Sequence, residues 1–375
     1  MNFDFSDDQK LLKDQAAKFL ADKCTPDDVR KILETDAPYD KALWKGLADM
    51  GFLGTAIPEA YGGLGLGYLE LCVIAEEIGR ACAPVPFSSS VYLAAEAIQR
   101  FGSEDQKQTW LPKLASGEAI GCLAMAEGVQ EPSPRTLETG FAGGRLSGTK
   151  LPVADGDLAD VAVVVAKTGS GTAEGDVSLT LVDLSGPGIA RQTLATLDPT
   201  RSHAKITFDG TPAELLGAQG EGWAALQEIL DAAAVLMAFE QLGGTQAALT
   251  MARDYALERY AFGRQIGSYQ AIKHKLADMY VKLELARGHC YYGAWALSTG
   301  SPEVPLAAAG ARVAATEAFR FAAQENIQVH GGIGYTWEAN TQFYYRRSKL
   351  LALALGAAGQ WKERIVRQLE RKNAA

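Results

Sequence analysis

The 375-residue sequence contains no Cys-x-x-Cys pair. Its five cysteines, Cys24, Cys72, Cys82, Cys122 and Cys290, are odd in number and widely spaced. That argues against a disulfide framework and reads as reduced, mostly buried thiols of a cytosolic protein. The four histidines, His203, His274, His289 and His330, do not cluster with cysteines or carboxylates at metal-ligand spacing. No metal centre is expected. There is no basic block either: 45 acidic residues against 36 basic ones leave a formal charge of -9. Nucleic acid and anionic membranes are therefore poor partners, although a few local donors can still hold a phosphate. The N-terminal "MNFDFSDDQKLLKDQ" lacks the apolar centre of a signal peptide, and no apolar run reaches transmembrane length. No internal repeat with a period of about 20–50 residues is present.

One lack is local. In "KLLALALGAAGQ", the ten residues between Lys349 and Gln360 carry no charge and no polar side chain. They interrupt two strongly polar stretches, "TQFYYRRSK" and "WKERIVRQLERK".

The apolar fraction is 47%, so the chain folds, and its length suits two or three domains. Residues 1–121 read as helices. "SDDQKLLKDQAAKFLADKC" opens on a cap-like Ser6 with apolar residues at helical spacing, and further helices fall in "YDKALWKGLADMGFLG", "GYLELCVIAEEIGRACA" and, broken at Gly102, "SSVYLAAEAIQRFGSEDQKQTWLPKLASGE". Residues 122–221 carry short β-branched runs, "VAVVVAKT", "VSLTLVDL" and "HAKITFDG", separated by turn residues, which describes a small β domain. Residues 222–375 return to helix. The run "WAALQEILDAAAVLMAFEQLGGTQAALTMARDYALER" would span roughly 50 Å or more. Two further long helices follow, and a last one is expected across "KLLALALGAAGQ" into "WKERIVRQLERK". Small-residue stripes on such helices suit a four-helix bundle. The expected class is α+β: N-terminal helical domain, central β domain, C-terminal four-helix bundle.

Two motifs carry chemistry. In "RYAFGRQIGSYQAIKHKLADM", Arg259 and Gln270 fall at a helix–helix corner, where a guanidinium can bind a phosphate with paired donors. In "NIQVHGGIGYTWE", Gly331, Gly332 and Gly334 let backbone N–H groups approach an anion. Alone, each reads more simply as an ordinary helical corner or glycine-rich break.

Taken together, and with "DFSDDQKLLKDQAAKFL", "MGFLGTAIPEAYGGLGLGYLELCVIAEEIGR" and "RFGSEDQKQTWLPKLASGE", they make the chain resemble the acyl-CoA dehydrogenase family over essentially its full length. The resemblance implies the three-part fold, FAD, an acyl-CoA substrate and a flavoprotein electron acceptor. It also implies that Arg259, Phe262, Gln270, Gln328 and Gly332, with Gly331 beside them, clasp the ADP half of an FAD held mainly by a neighbouring subunit. In the family a glutamate removes the α-proton of the thioester while hydride leaves the β-carbon for the flavin.

The sequence departs from that pattern at three places. The usual position of the glutamate, shortly after an "RRSK"-like segment and before a glycine, holds Leu355. The alternative position on the first long helix of the bundle holds Ala233. The nearest same-face carboxylate, Glu240, is two turns or roughly 10 Å further on. In the β domain, Pro152 and Ala154 replace the aromatic and hydroxyl residues that flank the flavin ring, and "AEGVQEPSPRT" replaces the usual loop before them. The catalytic positions therefore read as none, with the ADP clasp kept. That pattern suggests a base-lacking subunit paired with an active paralogue in an α2β2 complex, as in bacterial members acting on steroid side chains and other bulky acyl groups. Two other readings stay open: a self-sufficient homotetramer with Glu240 as a relocated base, and a non-redox relative that binds CoA thioesters.

Overall fold

The computed structural model describes residues 5–374. Six α-helices come first among the described residues: α1 (Asp7–Lys23), α2 (Pro26–Glu34), α3 (Lys41–Asp49), α4 (Tyr68–Arg80), α5 (Glu96–Phe101), which continues a π-helical stretch over Ser88–Ala95, and α6 (Glu104–Ala115). Eight strands follow: β1 (Gly121–Ala124), β2 (Gly140–Ala142), β3 (Arg145–Ala154), β4 (Val161–Lys167), β5 (Val177–Asp183), β6 (Ile189–Thr193), β7 (His203–Pro212) and β8 (Glu214–Leu216). The chain then runs through α7 (Gly222–Glu258), a short hairpin of β9 (Tyr260–Ala261) and β10 (Arg264–Gln265), α8 (Gln270–Ser298), α9 (Val304–His330), α10 (Thr341–Leu351) and α11 (Ala358–Ala374). This is the mixed α+β architecture that the sequence texture implies.

Packing groups these elements into two compact units. One gathers the chain up to Leu33, Tyr68–Ala83, and everything from Ala234 onward. The other gathers Glu34–Gly67 and Pro84–Ala233. Helices α1, α2 and α4 thus belong with the C-terminal helices, and α3, α5 and α6 with the strands.

In the first unit, α1 begins as its sequence dictates. Ser6 Oγ accepts from Gln9 N at 3.2 Å and Gln9 Oε1 accepts from Ser6 N at 2.9 Å, a reciprocal cap. Helices α4 and α7 touch backbone to backbone. A Cβ on Gly79 would lie 1.8 Å from Glu240 O, and one on Gly243 would lie 1.7 Å from Glu76 O. Only glycine permits that crossing. A run of buried alanines along α9, including Ala308, Ala311, Ala315 and Ala322, completes the close packing. Helix α7 is apolar and long enough to cross a bilayer by composition, but most of that span is buried inside the protein, as befits a core helix.

The second unit is built on a sheet in the order β6-β7-β3-β2-β4-β5-β8, with β1 pairing β4 in parallel. Residues Val161–Ala166 of β4 are wholly buried, which accounts for an unbroken apolar run rather than an alternating one. The β3–β7 register shifts between Lys150 and Val153. Pro152 falls in that irregularity, where a residue without an N–H does not break the ladder.

One expectation fails. The uncharged stretch was expected to be helical throughout, but α10 ends at Leu351 and α11 starts at Ala358. Gly356 adopts φ +95°, and a Cβ there would meet Gln360 Oε1 at 2.1 Å. Trp361 Nε1 donates to Leu355 O at 3.0 Å and ties the break together. Leu351, Ala352 and Leu355 are buried. Burial thus accounts for the apolar character of these three positions, whereas Leu353 is 68% exposed.

Candidate functional site

Helix α7 ends at Glu258, and Arg259 is the first residue past it, its N–H donating to Tyr255 O at 2.8 Å. The chain then reverses through the β9–β10 hairpin, pairing Ala261 with Arg264. Its two turn residues, Phe262 (φ 53°) and Gly263 (φ 79°), both have positive φ, the signature of a type I′ turn. Phenylalanine is unfavourable in that conformation. Its ring is 98% exposed, so packing within the chain does not offset the strain. The hairpin is held from below: Tyr269 Oη donates to Ala261 O at 3.0 Å, and the Arg264 guanidinium lies 3.9 Å from the Tyr269 ring. Gln270, the first residue of α8, is exposed.

Helix α9 brings the second motif alongside. Tyr255, Arg259, Ile266, His330, Gly331 and Gly332 line one groove of about 460 Å³. Arg259, Gly331 and Gly332 are thus brought together. Phe262, Gln270 and Gln328 are exposed but do not line it. Gly331, at φ 62° and ψ −138°, occupies backbone space open only to glycine. Gly332 has no such constraint, and a Cβ on either glycine would meet nothing within 4 Å. The space above both is open. Among the described residues the Arg259 side chain makes no hydrogen bond or ion pair. No carboxylate lines the groove. A free guanidinium, open backbone amides and no competing anion fit the diphosphate end of a dinucleotide.

Tyr255 and His330 were not picked out from the sequence. The His330 ring stacks on Tyr255 at 4.2 Å, and its Nδ1 donates to Asn326 O at 2.8 Å. Burial lowers its pKa, against the opposing pull of that carbonyl. The ring therefore stays neutral and leaves Nε2 as an acceptor. Tyr255 carries a sequence signal: it sits one turn before Arg259, on the same helix face.

The positions where a base is expected look different. Leu355 is buried in the α10–α11 break, and Ala233 is wholly buried on α7. Neither side chain can take a proton. Glu240, the relocated-base candidate, is also buried, 3.5 Å from Arg347 Nη1. Arg347 further donates to Cys82 O and Ala83 O at 3.4 and 3.3 Å. Close by, Arg312 donates to Gln241 Oε1 at 2.7 Å and to Leu351 O, the end of α10. Burial pushes Arg312 down to about 10, against the attraction of Glu240. Glu240 is thus a buried counter-ion of Arg347, which gives a carboxylate at this position a structural role.

Two family models match the chain: "Acyl-CoA dehydrogenase, N-terminal domain" over residues 6–118 and "Acyl-CoA dehydrogenase, C-terminal domain" over residues 220–370. The chain belongs to the acyl-CoA dehydrogenase family. It is 34% identical to a mitochondrial isovaleryl-CoA dehydrogenase of Solanum tuberosum, covering 94% of this chain and 88% of that one. It is 33% identical to the acyl-CoA dehydrogenase IpdE2 of Mycobacterium tuberculosis, covering 91% of each. Among solved structures, the ChsE4-ChsE5 complex of Mycobacterium tuberculosis contains a chain that matches with a TM-score of 0.90 and 30% identity, covering 99% of each chain.

For an acyl-CoA dehydrogenase, the central strand is equally bare. Pro152 is exposed and Ala154 half-buried on β3, so neither a ring nor a hydroxyl is offered there. What β3 does keep is Lys150, wholly buried, with Nζ 2.7 Å from Glu127 Oε1. Burial pushes Lys150 down to about 8 against the pull of Glu127. Glu127 also accepts from the N–H groups of Glu138 and Thr139, at 2.6 and 2.9 Å, and so anchors the loop that contains it.

Proposed function

We propose that this chain is the base-lacking subunit of an acyl-CoA dehydrogenase assembly. It pairs with a homologous, base-bearing subunit in an α2β2 complex and clasps the ADP end of the FAD held mainly by that partner. The complex dehydrogenates an acyl-CoA thioester and passes electrons to a flavoprotein acceptor. FAD, when bound, supplies the two-electron acceptor. The chain's own part is to bind and orient it, with Arg259 on the phosphates and the amides of Gly331 and Gly332 beside them. Gln270, Gln328 and Phe262, all exposed, extend the clasp beyond the groove's own lining.

One observation carries this reading. Hydrocarbon fills both positions where a general base is expected, and the nearest carboxylate on the same face of α7, Glu240, pairs with Arg347. A carboxylate poised as a base needs reach to the substrate and a pKa near the working pH, and a leucine or alanine offers neither. The likeness to a chain of the ChsE4-ChsE5 complex supports a two-gene assembly.

Co-expression with a base-bearing homologue tests the proposal. Flavin absorbance and acyl-CoA dehydrogenation are read for the lone chain and for the pair. Turnover is expected only from the pair. A lone chain that holds a full complement of flavin and turns over would overturn the reading.

A further inference from the structure

The glycine-rich turn is followed by a segment that rests on α9 at the buried Gly334 but leaves its large side chains exposed. From Gly331 to the start of α10, the side chains of Ile333, Tyr335 and Trp337 are 53%, 77% and 46% exposed. The segment's own bonds are few: Thr336 N to Ile333 O at 3.0 Å, Gln342 Nε2 to Trp337 O at 2.6 Å, and Thr341 Oγ1 to Gly334 O at 2.9 Å. Two guanidinium groups add to these: Arg346 lies over the Trp337 ring, 5.6 Å from its centre, and one side chain on α2 supplies the contacts from farthest away in sequence. Arg30 Nη1 donates to Trp337 O, and Nη2 donates to Glu338 O at 3.0 Å and to Asn340 Oδ1 at 2.7 Å. The same guanidinium lies over the Phe343 ring, 5.0 Å from its centre. These partners are more than 300 residues away in sequence.

Asn340 precedes α10 with helical backbone angles, φ −74° and ψ −8°, and makes no capping bond. Its side-chain oxygen is instead an acceptor for Arg30.

We propose that Arg30 is the positioning residue of the dinucleotide groove. Its planar fork satisfies three acceptors at once and fixes the segment from Gly331 to Asn340. The amides of Gly331 and Gly332 are thereby held to converge with Arg259 on one diphosphate. An ammonium cannot reproduce that fork. This inference rests on the ADP-clasp reading above.

The test uses the assembly as purified, stripped of flavin and titrated with ADP, alongside amide hydrogen exchange of residues 331–340. Arg30→Ala is expected to weaken ADP binding by about tenfold, because the cradle must then be ordered on binding. It should also speed exchange across 331–340. Arg30→Lys should recover only part of both, and it carries the test if Arg30→Ala does not fold. Val29→Ala removes buried methyl groups from the same helix without touching the segment; it should lower the melting temperature and leave both readouts unchanged. The inference is overturned if Arg30→Ala binds ADP like the wild type, or if Val29→Ala loses as much. Arg259→Ala separates the two levels of the argument. If it weakens ADP binding and Arg30→Ala does not, the groove stands and the role of Arg30 falls. If the wild type does not bind ADP, or binds it no better than Arg259→Ala, the groove reading fails and this inference with it.

Discussion

The groove at Arg259 and the corner at Leu355 are opposites. Around the groove, the chain keeps a guanidinium with no hydrogen bond or ion pair among the described residues, a strained exposed phenylalanine, and two glycines with open space above them. At the corner three polar groups are bonded within the chain: Leu355 O accepts from Trp361, Leu351 O accepts from Arg312, and Glu240 pairs with Arg347. A region built for an outside ligand leaves its donors unspent, whereas a region that has given up its chemistry closes on itself. The contrast is what makes a cofactor-clasping, base-lacking subunit the economical account.

The contrast can be broken most severely at the closed corner. Arg347→Ala removes the cation paired with the buried Glu240, and removing one partner of such a pair costs about 3–5 kcal/mol. Chemical denaturation should read a loss of that size. Glu240→Gln should cost less and leave the dehydrogenase activity of the complex unchanged; loss of turnover with stability intact would restore Glu240 as a base.

At the open groove the expectation reverses. Arg259→Ala should leave denaturation nearly unchanged, because its head group holds nothing in the chain. Loss of a charge-assisted contact to phosphate, about 1.5–3 kcal/mol, should appear in ADP affinity by calorimetry, as roughly tenfold or more. Equal loss in stability and affinity would erase the distinction between the regions.

Two glycines sharpen it further. Gly356→Ala forces a positive φ and a clash with Gln360, so a loss of about 1–2 kcal/mol is expected, with ADP binding intact. Gly332→Ala meets nothing within the chain, so stability should stay within about 0.5 kcal/mol while ADP affinity falls.

Much of this was legible in the residues themselves. The β-branched runs became β4, β5 and β7, and Ser6 with Gln9 became the cap of α1, because both signals are local. Arg259 and the glycines could be picked out by their chemistry. The α10–α11 break could not: an apolar run reads as helix, and only the tertiary placement of Gln360 and Trp361 shows why Gly356 turns. Helix α2 was missed although Pro26 opens it and Val29, Ile32 and Leu33 mark a buried face at helical spacing. Arg30 and His330 were missed for another reason. One acts across more than 300 residues and the other through a ring stack, and neither leaves a periodicity in the sequence.

The central claim is that no group of this chain takes the α-proton of a thioester. The direct measurement is deuterium incorporation at the α-carbon of an acyl-CoA incubated in D2O with the lone chain, supplied with FAD. The account predicts no exchange above the buffer rate, and exchange once the base-bearing homologue is added. Rapid α-exchange by the lone chain would contradict it.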